Sequence, residues 1–204
     1  MILNIGLFFG SFNPIHIGHL IVAGIIADLK EVNQVWFVVS PQNPHKSSKS
    51  LIHEFDRYDM VEAAIVDGYN LRVSDVEFHM PRPSYTVDTL AYLADSHSDH
   101  KFKLIIGEDN LQKFPKWKNY QQILDYYGLY VYPRPMPGSH NPSPKIDQIK
   151  DHRNTTWVEA PIIDISASFV RSRIANGRSV DYLIPDAVMR MITQRKLFQQ
   201  VKRS

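Results

Sequence analysis

Apolar runs alternate with amphipathic segments along the first half of the chain. Runs with the character of buried strands, several of them rich in β-branched and aromatic side chains, occupy residues 2–9, 34–40, 71–76 and 102–106. Segments predicted to be helices occupy residues 16–30, 54–67 and 86–95. Strands that alternate with helices indicate an α/β fold in which a parallel sheet carries helices on both faces.

The second half of the chain is less regular. Five prolines between residues 130 and 144 indicate a surface loop or a sheet edge. One more short strand is predicted at residues 157–159, and helices are predicted at residues 168–175 and 186–201.

Composition narrows the class of protein. The chain has 204 residues, and we interpret residues 1–204 as a single domain with a core over about 1–160 and a helical part over about 161–204. The formal net charge of +2 gives no global signal for nucleic acid or a membrane as partner. Cysteine is absent, which excludes thiol catalysis. We interpret the protein as cytoplasmic, and a homo-oligomer is compatible with the sequence.

A parallel sheet binds its ligand at the carboxyl ends of its strands, so we expect the chemistry in the loops after Phe9, Ser40 and Ile106. The loop after Phe9 continues with Asn13 and Pro14. These two residues predict a helix start, with Asn13 as its cap and Pro14 in its first turn.

Two histidines, His16 and His19, lie three positions apart near this predicted helix start and therefore share one helix face. A helix N-terminus offers unpaired N–H groups and a positive dipole end, which both favour phosphate. Imidazole N–H donors add to this, and Gly10 and Gly18 let an anion approach the backbone closely. The segment therefore predicts a phosphate-binding site.

The histidine pair has other interpretations. The two side chains are also typical of an exposed helix face, or of two ligands in a metal site. A structural metal needs a third and a fourth ligand, and none is evident nearby in the sequence. The order of a strand, a Gly-Ser turn and an Asn-Pro helix start favours phosphate.

The motif His16-Ile17-Gly18-His19, with the residues around it from 9 to 20, resembles the signature of the HxGH nucleotidyltransferases, relatives of class I aminoacyl-tRNA synthetases. In that superfamily the two histidines bind the nucleoside triphosphate and stabilise charge as pyrophosphate leaves. The resemblance assigns this role to His16 and His19.

Later segments are similar, in the same order, to bacterial nicotinate-nucleotide adenylyltransferases: residues 41–46, 84–90, 106–110 with Trp117, and 165–173. The resemblance implies that MgATP and nicotinate mononucleotide give nicotinate adenine dinucleotide and pyrophosphate, a step of NAD biosynthesis. It also implies a Rossmann-like sheet of the HxGH type with a small helical C-terminal part, and Mg²⁺ bound with ATP.

The resemblance implies roles for individual residues. Those implied in catalysis are His16, His19, Lys46 and Arg171. Those implied in ATP binding are Gly10, Ser11, Phe12, His16, Gly18, His19, Ser166, Ser168 and Arg171. Those implied in mononucleotide binding are His45, Lys46, Ser84, Tyr85, Thr86, Asp109 and Trp117, with Asp109 near the ribose or Mg²⁺.

Physical chemistry offers an alternative for several of these residues. Ser84 and Thr86 stand at a predicted helix start and are also typical caps, as is Asp109 after its strand. Lys46 suits a triphosphate as a point charge and equally suits solvent. Trp117 is typical of a core, but an aromatic face also stacks on a nicotinate ring, and the resemblance favours stacking.

Arg171 follows Ser166 and Ser168 at a predicted helix start, so N–H groups, hydroxyls and a guanidinium converge there. The other basic residues near the C-terminus are interpreted mostly as a solvated face, with Arg173 open to either role.

Several functional hypotheses remain open at this stage. Nicotinamide mononucleotide or phosphopantetheine is an alternative acceptor, and a nucleotide-sensing module without turnover is an alternative class. A metal-binding protein that uses His16 and His19 is a weaker one.

Overall fold

A six-stranded parallel sheet forms the centre of the computed structural model, which describes residues 2–41, 51–65, 70–135 and 144–199. The strands are β1 (Leu3–Gly10), β2 (Gln34–Val39), β3 (Leu71–Ser74), β4 (His100–Gly107), β5 (Leu129–Tyr132) and β6 (Thr155–Trp157). Their order in the sheet is β3-β2-β1-β4-β5-β6, and every neighbouring pair is parallel. The order reverses between β1 and β4, which makes their carboxyl ends the topological switch point.

The α-helices cover both faces of this sheet. Their bounds are α1 (Ile17–Ala27), α2 (Glu54–Ala64), α3 (Thr86–Ser96), α4 (Glu108–Leu111), α5 (Tyr120–Gln122), α6 (Pro144–Lys150), α7 (Ala167–Ala175) and α8 (Asp186–Gln194). Short 3₁₀ turns at Val76–His79 and Phe114–Lys116 and a π turn at Ile123–Tyr127 complete the elements. In the described ranges no helix has the length and apolar character needed to cross a bilayer.

Alternate side chains of the central strands build two separate cores. On β1, Leu7 packs into one hydrophobic cluster and Phe8 into the other. The cluster around Phe8 lies under α1, α2 and α8, while the cluster around Leu7 contains Leu90 of α3. Strands buried on both faces read as continuous apolar runs, so the sequence pattern and the layered α/β fold agree. The predicted fold class is confirmed.

The helix start near the histidines differs from the prediction. Asn13 is not a helix cap and Pro14 is not in the first turn, because α1 begins at Ile17 with His16 as its N-cap residue. The Asn13–Pro14 peptide bond is cis. The Asn13 side chain instead accepts a hydrogen bond from the Ile52 backbone N–H at 3.4 Å, which ties the loop to the segment before α2.

The proline-rich region also contains a strand that the sequence analysis missed. Residues 130–132 lie in β5, whose four residues are all buried, so the prediction of a surface loop was wrong there. The prolines begin only at Pro133, after the strand has ended. Smaller shifts occur at β6, which starts two residues before the predicted strand, and at α8, which ends at Gln194.

The C-terminal helices reach back to the sheet. The Ile17 backbone N–H donates to the Leu183 carbonyl at 2.9 Å, which fastens the start of α1 to the segment before α8. Arg195, just after α8, contacts Asp56 at 2.6 Å and Asp59 at 2.7 Å on α2. The helical C-terminal part is therefore packed beside the predicted ligand edge of the sheet.

Candidate active site

A cleft of about 910 Å³ opens at the carboxyl ends of the central strands, at the switch point. Most of the predicted site residues line it, namely Gly10, Ser11, Phe12, His16, His19, Ser84, Tyr85, Thr86, Trp117, Ser166, Ser168 and Arg171. Gly18 and Asp109 stand beside the cleft and do not line it. His45 and Lys46 lie outside the described residues. Segments far apart in sequence thus converge on one cavity.

The two histidine rings stack on each other, with ring centroids 3.6 Å apart and planes inclined by 22°. His16 is the N-cap residue of α1 and His19 is the third residue of the helix. The Nδ1 atom of His19 accepts a hydrogen bond from the His16 backbone N–H at 3.3 Å. In a neutral imidazole this leaves the proton on Nε2, so His19 carries a donor on its other ring nitrogen.

His16 is held neutral by its surroundings. It is only 3 % exposed, and its Nδ1 has no hydrogen-bond partner among the described residues. Burial, with a smaller contribution from the positive charge of Arg134, lowers the pKa of His16 to about 4. At neutral pH the ring is therefore an uncharged group that offers one N–H donor.

Phe12 and the two glycines have packing roles around the histidines. Phe12 adopts a left-handed backbone conformation (φ 43°), and its ring meets that of His19 edge-on at 5.1 Å. A Cβ on Gly10 would lie 2.7 Å from the Phe12 ring, so glycine is needed there for the ring to fold back. Gly18 faces the His16 ring and Ile163. These contacts fix the positions of both imidazoles.

The start of α7 faces the histidine loop across the cleft. Ser166 is the N-cap residue, and its hydroxyl accepts a hydrogen bond from the Phe169 backbone N–H at 3.2 Å. The hydroxyl oxygens of Ser166 and Ser168 lie 3.0 Å apart. Arg171 donates from Nη1 to the Asn13 carbonyl at 2.7 Å. The expected grouping of hydroxyls and a guanidinium at a helix N-terminus is therefore present beside His16.

The other end of the cleft is formed by the start of α3 and the turn that contains Trp117. Tyr85 is the N-cap residue of α3 and makes no side-chain cap bond, so neither Ser84 nor Thr86 occupies the cap position. Trp117 is half-buried and packs edge-on against Phe114 at 5.5 Å. The ammonium of Lys118 lies 2.8 Å from Asp88. This end combines an aromatic ring with a helix N-terminus.

Asp109 lies in α4, immediately after β4. Its Oδ2 is 3.9 Å from Nε of Arg134, and its Oδ1 is buried without a hydrogen-bond partner in the described part of the chain. Within those ranges no three His, Asp or Glu side chains are grouped to hold a metal ion. A single carboxylate with one unpartnered oxygen among the described residues fits Mg²⁺ that would arrive with ATP and keep phosphate oxygens and water as its other ligands.

Five charged residues that line the cleft or lie beneath it were not predicted as site residues, namely Arg57, Glu77, Lys116, Lys118 and Arg134. Arg134 follows β5, so recognition of that strand would have pointed to it. Arg57 is fully buried on α2 and occurs with Met60, Val61 and Ala64 at the spacing of one buried helix face, a pattern that was available in the sequence. Glu77 is 3 % exposed, and no sequence signal marked it.

A parallel α/β sheet with stacked histidines at a helix start, facing a cleft at the switch point, defines a Rossmann-like α/β protein whose cleft suits a nucleotide. A family model described as cytidylyltransferase-like matches residues 7–173. The chain is 50 % identical over 196 residues to a probable nicotinate-nucleotide adenylyltransferase of Cytophaga hutchinsonii, covering 96 % of this chain and 98 % of that protein. A protein of the same name from Flavobacterium johnsoniae is 39 % identical over 198 residues, covering 97 % of this chain and all of that protein (100 %). The chain belongs to the nicotinate-nucleotide adenylyltransferase family, within the cytidylyltransferase-like group.

Solved structures agree on the fold. The Plasmodium falciparum nicotinic acid mononucleotide adenylyltransferase complexed with NaAD superimposes with a TM-score of 0.77 at 20 % identity, over 96 % of this chain and 97 % of that one. The same enzyme complexed with APC gives a TM-score of 0.75 at 18 % identity, with the same coverage. The relatives described above confirm the family resemblance seen in the sequence, and these structures confirm the fold.

Proposed function

We propose that this protein is an adenylyltransferase that joins the AMP part of ATP to nicotinate mononucleotide. The mononucleotide phosphate oxygen attacks the α-phosphorus of ATP, a new P–O bond forms, and the bond to the β-phosphate oxygen breaks. The products are nicotinate adenine dinucleotide and pyrophosphate, which carries away the electron pair. The observation that carries this proposal is the stacked His16–His19 pair, facing the cleft in a chain 50 % identical to a probable nicotinate-nucleotide adenylyltransferase.

The residues that would surround the ATP phosphates can stabilise negative charge without a general base. The attacking phosphate is already anionic, so the protein has only to position the substrates and to stabilise the charge that develops. We assign this to the N–H donors of His16 and His19 and to the Arg171 guanidinium, with Ser166 and Ser168 beside them. Arg134 lines the same cleft and adds a second guanidinium. Lys46, on the predicted loop after β2, remains a proposed partner of the triphosphate.

The proposed reaction uses Mg²⁺, which would be bound together with ATP. Asp109 is the residue that would hold it, through the carboxylate whose Oδ1 is orphaned. The ion would neutralise negative charge on the phosphates.

The end of the cleft that would bind the mononucleotide favours a ring that carries a carboxylate. We assign the nicotinate ring to the face of Trp117 and the mononucleotide phosphate and ribose to Ser84, Tyr85 and Thr86. Lys116 and Lys118 flank Trp117 in the cleft wall; Asp88 pairs with Lys118, and within the described ranges no acidic side chain pairs with Lys116. The remaining positive charge supports nicotinate over nicotinamide, because a carboxylate gains from a nearby cation and an amide does not.

ATP labelled at its α-phosphorus tests the proposed reaction. Purified protein is incubated with this ATP, Mg²⁺ and, separately, nicotinate mononucleotide or phosphopantetheine. We expect the label in nicotinate adenine dinucleotide and unlabelled pyrophosphate in equal amount. Label in a phosphopantetheine product, or binding of ATP without pyrophosphate release with either acceptor, would overturn the proposal.

A further inference from the structure

Two charged side chains are buried beneath the cleft. One lies under the proposed ATP end and the other under the proposed mononucleotide end. Arg57 of α2 is completely buried, and Glu77 of the 3₁₀ turn after β3 is 3 % exposed. A charge taken out of water is costly unless its hydrogen bonds are met, so the partners of these two groups define what they do. Both sets of partners lead to loops that carry predicted substrate contacts.

Arg57 holds together the loops beside the proposed ATP site. Its Nη1 donates to the carbonyls of Ser11 and Ser40, each at 2.7 Å. Its Nη2 donates to the Pro41 carbonyl at 2.9 Å, and its Nε donates to the Ile52 carbonyl at 3.1 Å. One planar guanidinium thus joins the loop after β1, the loop after β2 and the segment before α2, a geometry that a lysine cannot reproduce.

Glu77 holds the segment beside the proposed mononucleotide site. Its carboxylate accepts a hydrogen bond from the Thr89 hydroxyl of α3 at 2.8 Å. Burial raises the pKa of this carboxylate, and the hydroxyls of Ser40 and Ser84, which face it, lower the pKa by a smaller amount. Ser84 immediately precedes the N-cap residue of α3 and lines the cleft. Glu77 therefore ties the proposed mononucleotide segment to the end of β2.

Ser40 connects the two charges. Its carbonyl accepts a hydrogen bond from Arg57, and its hydroxyl faces the Glu77 carboxylate. Contacts between polar groups therefore run from the Ser11 carbonyl through Arg57, Ser40 and Glu77 to the Ser84 hydroxyl, and the two charged side chains in this series are buried. The two ends of this chain of contacts lie on opposite substrate sides of one cleft.

We propose that Arg57 and Glu77 are positioning residues. Through Ser40 they fix the distance between the loop after β1, which would bind ATP, and the segment at the start of α3, which would bind the mononucleotide. This inference rests on the proposed function, because it concerns the alignment of the same two substrates. In-line transfer needs the reacting atoms within about 3–3.5 Å, and a displacement near 1 Å can cost roughly 100-fold in rate. Neither residue supplies a proton or a charge to the reaction.

Initial rates of Arg57→Lys, Glu77→Gln, Ser40→Ala and the Arg57→Lys/Glu77→Gln double variant test this coupling. Glu62→Gln is the matched control, since Glu62 is an exposed residue of α2. We expect each single variant to lower kcat by about 10- to 100-fold. Glu77→Gln is expected to raise KM for ATP as well as for the mononucleotide, because its effect passes through Ser40 to the loops that Arg57 holds.

The double variant separates a coupled chain from two independent supports. A coupled chain predicts that the double variant is no slower than the slower single variant, because one break already releases the alignment. Multiplicative losses, a KM effect confined to each residue's own substrate, or losses that match the unfolded fraction in a thermal melt would overturn the inference. Ser40→Ala removes only one hydroxyl, so it tests the link if Arg57→Lys does not fold.

Calorimetric titration with ATP alone distinguishes this inference from the proposed function. If the wild-type protein does not turn over, the proposed reaction fails, while a weaker ATP affinity in Glu77→Gln still supports the chain. An unchanged ATP affinity in that variant contradicts the chain whether or not turnover occurs.

Discussion

At the scale of single residues, His16 and His19 share a motif but are held differently. His16 is buried at the helix cap, while His19 has its Nδ1 engaged by the His16 backbone. The stacked rings present their N–H donors from one side of the cleft. Each residue therefore carries a separate prediction.

Replacing His19 with alanine is expected to lower kcat by roughly 100- to 1000-fold, by analogy with the loss of one well-aimed oxyanion donor. The α1 backbone stays helical, because alanine favours a helix. His79, which is 71 % exposed, provides the matched control when it is also replaced by alanine. Steady-state kinetics and circular dichroism check both variants, and full activity in a folded His19→Ala protein contradicts the assigned role.

The lowered pKa of His16 predicts a pH dependence of stability. Its folded pKa of about 4 lies below the unfolded value of 6.5, so the unfolded chain binds the proton first. The contribution is present above pH 6.5 and is lost as the pH falls toward 4. Between pH 7.5 and pH 5 the free energy of unfolding should fall by about 2 kcal/mol more in the wild type than in His16→Gln.

Urea unfolding of both proteins at the two pH values measures this difference. A pH dependence that is the same in the wild type and in His16→Gln would show that the His16 ring titrates normally in the folded protein.

At the scale of elements, helix starts carry most of the site. The starts of α1, α3 and α7 all face the cleft, and each follows a different strand or loop. At α7 the Ser166 side chain caps the helix, and at α1 the His19 side chain accepts from the His16 backbone N–H while the Ile17 N–H donates to Leu183. The start of α3 has no side-chain cap bond, in keeping with phosphate binding at helix N-termini.

Ser166→Ala should lower the free energy of unfolding by about 1 kcal/mol, because the Phe169 N–H loses its cap. Ser172→Ala, at an exposed position of the same helix, is the control and should leave stability unchanged or slightly higher. Chemical denaturation measures both, and equal effects of the two substitutions contradict a capping role for Ser166.

The sequence predicted the elements whose local pattern and tertiary environment agree. Strands β1, β2 and β4 have buried apolar residues on both faces and were recognisable, as was the segment at the start of α1 that carries His16 and His19. Strand β5 was missed because the prolines that follow it dominated its short apolar run. The cap at Asn13 was wrong because that side chain bonds to Ile52, 39 residues away, a contact that no local pattern reports.

The site was predictable where a motif marks it and not where only packing does. Family motifs named twelve residues that line the cleft, from Gly10 to Arg171. Glu77 and Arg134 belong to no motif that was recognised, and their roles appear only when distant loops come together. Arg57 could have been predicted without a motif. A charged residue on an otherwise apolar helix face indicates a buried side chain with hydrogen-bond partners.

At the scale of the whole molecule, the helical C-terminal part and the sheet share the site. Arg171 bonds to Asn13 of the β1 loop, and Leu183 accepts from Ile17 at the start of α1. A cleft built from both parts requires that they stay together. We therefore propose that the chain forms a single domain.

A single domain should unfold in one transition. Far-ultraviolet circular dichroism reports the helices, and the fluorescence of Trp36, Trp117 and Trp157 reports the sheet and the cleft. The two signals are expected to give the same midpoint in urea. Separate midpoints, with helix content lost before the tryptophan signal changes, would mean that the C-terminal part folds independently.

Preference for the acid form of the mononucleotide distinguishes the proposed reaction from transfer to the amide. The most direct test compares kcat/KM for nicotinate and nicotinamide mononucleotides, side by side, with saturating MgATP. Nicotinate mononucleotide is expected to be preferred by at least about tenfold, because Lys116, beside Trp117, has no acidic partner among the described residues. Equal values, or a preference for the amide, would contradict it.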